Sequence, residues 1–250
     1  GSENEIDSGA RSATIGGGND NDIGAGAEVA TISGGGNNGI DNNAAGSTIG
    51  GGEGNTIDSY AYSATIAGGW YNTVGTNAWF ATIPGGSQNE ASGVSSLAAG
   101  HRAKALAPGA FVWGDNTDAD VASTNANSWT VRASGGVTFF TDTNLSSGAV
   151  LSPGSGSWSS LSDRAAKDGV QPVEGRAVLE QLARLPLSTW RYKAQAPEVR
   201  HLGPMAQDFF AAFGHDEVGA IGTETTINSG DITGILMIGL QGLDMQVQED

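Results

Sequence analysis

Cysteine is absent from this chain, which excludes disulfides and every metal site built on thiolates and leaves the redox compartment unread. Basic residues are scarce: 11 Lys and Arg stand against 27 Asp and Glu, for a net charge of −16. A phosphate-binding surface needs clustered Lys and Arg, so nucleic acid is excluded as a partner. The acidity suits a solvated surface, as in a saline habitat or on an exposed extracellular fibre. No apolar run reaches the roughly 18 residues of a membrane span. The three histidines, His101, His201 and His215, are too scattered for a metal cluster, and nothing points to a cofactor. Glycine, by contrast, is abundant at 40 residues, but without the Gly-X-Y period of collagen.

What replaces that period is a longer one. Ile15, Ile32, Ile49, Ile66 and Ile83 recur at a fixed step, each preceded by Thr and followed by a Gly-Gly pair such as Gly17-Gly18 or Gly51-Gly52. Asn4, Asn21, Asn38, Asn55, Asn72 and Asn89 keep the same step, with Ile6, Ile23, Ile40, Ile57, Val74 and Ala91 two residues on. A fixed step of about 17 residues means stacked coils. Each coil is expected to hold two short β segments, turned by Gly-Gly and by Asn, residue types that tolerate positive φ. The Ile columns should face inward. Because one thin coil has few apolar side chains, three chains are expected to share a core. Gly1-Ser2 reads as a cloning scar and residues 3–12 as the end of a repeat, so the natural protein is expected to continue upstream.

After residue 93 the period shortens to 14, from Leu97 to Phe111. The run Ser96-Leu97-Ala98-Ala99-Gly100-His101 resembles the left-handed β-roll heads of trimeric autotransporter adhesins, with residues 3–93 as a longer-turn version. Residues 116–157 read as a connector with short strands at Trp129–Arg132 and Val137–Phe140. Asp115, Asp118 and Asp120 lack the Gly and distal Glu of an EF-hand and read as a solvated turn. Residues 146–160, rich in Ser and Gly, read as flexible.

From residue 158 onward the repeat is gone. Leu161-Ser162-Asp163-Arg164-Ala165-Ala166-Lys167 carries a hydroxyl, a carboxylate and an amine close together. One reading is a helix start, with Ser162 as N-cap and Asp163 at the positive end of the dipole. The other is a nucleophile and its base, which requires a turn between Ser162 and Lys167, since five residues is not a same-face helical spacing. Helices are expected over Glu174–Leu185, Pro204–Phe213 and Asp231–Gln248. On the last, Leu236, Leu240, Leu243 and Val247 form a heptad seam that favours a coiled coil.

The order of these blocks, Ser-Asp-x-x-x-Lys at 162–167, then Thr189-Trp190-Arg191-Tyr192, His201-Leu202-Gly203-Pro204-Met205-Ala206-Gln207 and Gly230-Asp231-Ile232-Thr233, resembles the self-cleaving intramolecular chaperone at the C-terminus of phage endosialidase tail-spikes and other trimeric fibres. That resemblance implies a domain over about 158–250 that trimerises, helps the upstream fibre fold and then releases itself. It implies Ser162 as nucleophile, Lys167 as base and Leu161–Ser162 as the bond cut, with Asp163, His201 and Gln207 supporting.

The expected fold is therefore mainly β: a homotrimeric β-solenoid (3–93, then 94–115), a β connector (116–157) and a small α+β chaperone domain ending in a coiled-coil helix. The expected enzyme is at most a single-turnover serine autoprotease. A glycosidase needs two carboxylates across a glycosidic bond, and no acidic column lies in register for one; the single Thr column reads as structural rather than ice-binding. Tyr62 and Trp79 occupy one position in successive repeats, with Trp70 nearby, and form either a glycan platform or a packing contact. The expected partners are further copies of the chain and a surface glycan or receptor, at a cell surface or on a virion. The competing reading is a structural trimer that never cuts.

Overall fold

The computed structural model describes residues 1–249, which form two compact units that divide after Leu161. Each is described by itself.

The N-terminal unit is a parallel β-solenoid of about eight coils. One sheet stacks Thr14–Ile15, Thr31–Ile32, Thr48–Ile49, Thr65–Ile66 and Thr82–Ile83, then Leu97–His101, Phe111–Gly114 and Trp129–Arg132. The other stacks Glu5–Ile6, Asp22–Ile23, Gly39–Ile40, Thr56–Ile57, Thr73–Val74, Glu90–Ala91, Ala103–Ala105 and Val121–Ser123. A third column of single parallel bridges runs through Ser2, Asn19, Gly36, Glu53, Trp70 and Ser87. The register puts Thr on Thr and Ile on Ile, then tightens to pair Leu97 with Phe111 and Glu90 with Lys104.

The interior is narrow. Ile23, Ile32, Ile40, Ile49, Ile57, Ile66, Val74 and Ile83 are all fully buried, with Ala27, Ala44, Ala61 and Ala78 between them. This corrects the expectation of a three-chain core built from the Ile columns. A two-residue strand carries one side chain inward, and two such columns facing each other fill the coil within a single chain.

The Asn column also has a different role from the turn expected of it. Asn21, Asn38, Asn55, Asn72 and Asn89 are buried, and the left-handed residue is the one before each: Asp20, Asn37, Gly54, Tyr71, Gln88. The amides form a ladder. Asn38 Oδ1 accepts from the backbone N–H and the Nδ2 of Asn55 at 3.0 and 3.1 Å, and Asn55 Nδ2 also donates to the carbonyls of Gly51 and Gly69 at 3.1 and 3.0 Å. Side-chain amides thus satisfy backbone groups that the turn would leave unpaired in the interior. Gly35, Gly52 and Gly69 sit at φ +90 to +101, where a Cβ would overlap the carbonyl oxygen of the next coil's glycine, so glycine is demanded there by both conformation and space.

Beyond the coils, Val137–Phe140, Gly148–Leu151 and Ser159–Ser160 form an antiparallel sheet. Residues 146–160, expected to be flexible, thus contribute two of its strands.

Among the described residues the C-terminal unit has three α-helices: α1 (Gly175–Arg184), α2 (Ala206–Phe213) and α3 (Ser229–Glu249). Between α1 and α2, Ser188–Trp190 pairs with His201–Gly203. Val178, Phe209 and Phe213 are buried, packed by Leu182, Leu185, Ile232, Ile235 and Ile238. The isoleucines of α3 turn inward. Leu236, Leu240, Leu243 and Val247 lie on its exposed side, 44–67% accessible. No helix among the described residues is long and apolar enough to cross a membrane.

Candidate functional site

The segment from Ser162 to Lys167 is built around one short turn. Arg164–Ala166 forms a 3-10 helix, and its N-cap is Asp163, whose carboxylate accepts from the Ala165 N–H at 2.9 Å. The cap expected at Ser162 therefore falls one residue later, which frees the Ser162 hydroxyl. Lys167 closes the turn, its backbone N–H donating to the Arg164 carbonyl. The tight turn brings the two side chains together: Lys167 Nζ donates to Ser162 Oγ at 2.6 Å. A continuous α-helix would hold positions five apart on different sides, so the 3-10 turn is what makes the contact. Both residues are exposed in the single chain.

The supporting residues of the sequence reading lie elsewhere. His201 stacks on Trp190 at 4.7 Å and 27°, and its Nε2 bonds Gln195 Oε1 at 2.8 Å. Gln207, in the first turn of α2, lines a cavity of about 710 Å³ with Trp190, Tyr192, Met205 and Ile232. Among the described residues neither shares a hydrogen bond with Ser162, Asp163 or Lys167. Leu161 is 37% exposed, and its N–H is held by the Gly148 carbonyl at 3.0 Å.

On the solenoid, Tyr62 and Trp79 contact each other edge to face, 5.9 Å apart and 61° between planes. Trp70 packs against Tyr71 at 4.5 Å and 75°. The sequence reading missed a second run of aromatics. Phe111, Trp129, Phe139 and Trp158 follow one another at 6.0, 6.3 and 5.6 Å, all 40–62% exposed. Phe111 and Trp129 share a register position, which only the strand pairing reveals.

The acidic turn is occupied by arginines. Arg102 holds Asp120 and Asp118 at 2.8 and 3.0 Å, and Arg132 holds Asp115 at 2.8 Å. Hydrogen bonds from Ser134, then Arg132, hold the Asp115 carboxyl well below the usual carboxylate range. No group of acids and histidines among the described residues is placed to hold a metal ion.

Residues 162–218 match the model of the family described as chaperone of endosialidase. The match begins at Ser162, where the second compact unit begins. The chain thus carries a chaperone-of-endosialidase domain behind a parallel β-solenoid, an arrangement that supports a tail-fibre-like protein. No curated protein and no solved structure matches the chain.

Proposed function

We propose that this chain is a segment of a homotrimeric fibre whose C-terminal domain assembles the trimer and then releases itself by cutting Leu161–Ser162. The observation that carries this reading is the 2.6 Å contact between Lys167 Nζ and Ser162 Oγ, at the residue where both the family match and the second unit begin.

Ser162 Oγ attacks the Leu161 carbonyl carbon. The Oγ–C bond forms, the C–N bond to Ser162 breaks, and the hydroxyl proton passes through Lys167 to the departing amine. Water then hydrolyses the ester, leaving a carboxylate on Leu161 and the hydroxyl on Ser162. An alcohol is a poor nucleophile at neutral pH, and an amine serves as base only when neutral. Burial disfavours the ammonium. The single chain leaves this site exposed, so a neighbouring chain has to cover it, and cutting follows assembly. Asp163 holds the turn. His201 and Gln207 shape the domain around it.

The outward seam Leu236, Leu240, Leu243 and Val247 is the surface on which the chains meet, with the spacing of a coiled coil. The solenoid then forms the shaft, outside the cell or on a virion, and Tyr62, Trp79 and Trp70 offer faces for a surface glycan. The mass of the denatured protein, followed over time after folding, tests the reading. Products ending at Leu161 and starting at Ser162 are expected; a chain that stays whole under all folding conditions leaves the non-cutting structural trimer.

A further inference from the structure

At the turn before each ladder Asn the backbone is left-handed, and successive coils fill the position with Asp20, Asn37, Gly54, Tyr71 and Gln88. Asp, Asn and Gly tolerate that conformation, whereas a bulky aromatic does not. Tyr71 nonetheless sits there at φ +51, as Val29, Tyr60 and Phe80 do at other turns. Its ring lies face-on over the previous coil: Cδ1, Cε1 and Cζ stand 3.0–3.1 Å from where a Cβ of residue 54 would be. With Gly54 beneath one face, the residue is still 47% exposed. Trp70 stands beside it at 75°, 46% exposed.

A trough lies on either side of this corner. One, of about 570 Å³, has a floor of Gly36, Gly52 and Gly69 and ends at Trp70, with Asn37 and Glu53 on its walls. The other, of about 410 Å³, ends at Tyr71, with Asp20, Asp22 and Asp41 along it. Both volumes suit a small ligand. Among the described residues, no hydrogen bond within the chain engages the side chains of Asp20, Asp22, Asp41, Glu53 or Asn37, and no Lys or Arg lines either trough. Burial pushes the Asp22 and Asp41 carboxyls up, so hydroxyl donors there would be welcome.

We propose that the Trp70–Tyr71 corner is a carbohydrate subsite for uncharged sugars, neutral or N-acetylated hexoses, stacked on Tyr71 with their hydroxyls donating to Asp20, Asp41 and Glu53. The carboxylates repel sialylated, sulfated and uronic glycans, which sets the class of ligand. The subsite is separate from the Tyr62–Trp79 pair and independent of cleavage; it rests on the reading of the shaft as an attachment surface.

The full chain is tested on an array of neutral, N-acetylated and anionic glycans, alongside Tyr71→Asn, Tyr71→Phe, Trp70→Ala and the double variant Tyr62→Ala/Trp79→Ala. Wild type is expected to bind uncharged glycans. Tyr71→Asn, which places the residue type of Asn37 in the same turn, is expected to melt no lower than wild type and to bind about tenfold more weakly or worse, the scale of one lost aromatic contact. Trp70→Ala also weakens binding, whereas Tyr71→Phe retains it and the double variant keeps the part of the binding that depends on Tyr71. If wild type binds and only the double variant loses binding, or if only anionic glycans bind, this subsite is wrong while attachment stands. If no glycan binds, both fall.

Discussion

Gly175, at the start of α1, and Gly242, in the middle of α3, meet backbone to backbone: a Cβ on Gly175 would stand 3.0 Å from the Gly242 nitrogen. One turn earlier, a Cβ on Gly239 would overlap the Leu182 side chain. Two small residues thus let α3 press against α1 and turn its leucines away from the domain. Gly242→Val should separate the helices and destabilise the unit by about 3 kcal/mol or more, the upper range of overpacking. Gly234→Ala, at an open position of the same helix, should be neutral or slightly stabilising. Denaturant unfolding of the two variants checks the contrast.

The amide ladder makes a separate prediction. Asn55→Ala removes the acceptor used by the Asn72 N–H and Nδ2, and takes from Asn38 Oδ1 one of its two donors. Buried polar groups left without partners cost about 1–3 kcal/mol each, so the variant should lose several-fold more stability than Thr56→Ala next door. Thermal melting followed by far-ultraviolet circular dichroism reads the difference.

Two aspartates should respond to pH with opposite signs. Asp115 is held below its ordinary range by Ser134 and Arg132, so it stabilises the fold above the unfolded carboxylate pKa of about 3.9 and loses that effect as pH falls further. Asp115→Asn should therefore melt below wild type at neutral pH, and the gap should narrow as pH drops below about 4. Asp58 is pushed up by burial, then by Asp41 and Glu90. Its charge opposes folding above its raised pKa, so Asp58→Asn should melt above wild type at neutral pH and match it in acid. Melting curves between pH 3 and pH 8 decide both signs.

Ser162→Ala and Lys167→Ala should each abolish the cut while light scattering still gives about three times the 25.2 kDa chain mass. Asp163→Asn should slow it less, because a neutral cap still accepts from Ala165. Leu236→Ser combined with Leu240→Ser should prevent both assembly and cutting if the proposed base, Lys167, has to be covered by a neighbouring chain. A monomeric double variant that still cuts would separate chemistry from assembly and refute the coupling. Cleavage before residue 162 in Ser162→Ala would refute the nucleophile.

Much of this was determined by the sequence alone. The fixed step of Thr-Ile and Asn requires stacked coils, because identical residues at identical intervals can satisfy one another only by lying in register. The three helices were legible from apolar spacing, and a family resemblance singled out the stretch from Ser162 to Lys167. Tertiary structure alone decided the rest. The Ile columns close a core within one chain because two inward columns fill so narrow a coil. Asn became a buried ladder because its amide bridges adjacent coils, a contact between residues far apart in sequence. Five positions along the chain, Ser162 and Lys167 meet only because Asp163 caps a 3-10 turn. Tyr71 lies over the preceding coil only because that coil offers a glycine for its ring to lie on.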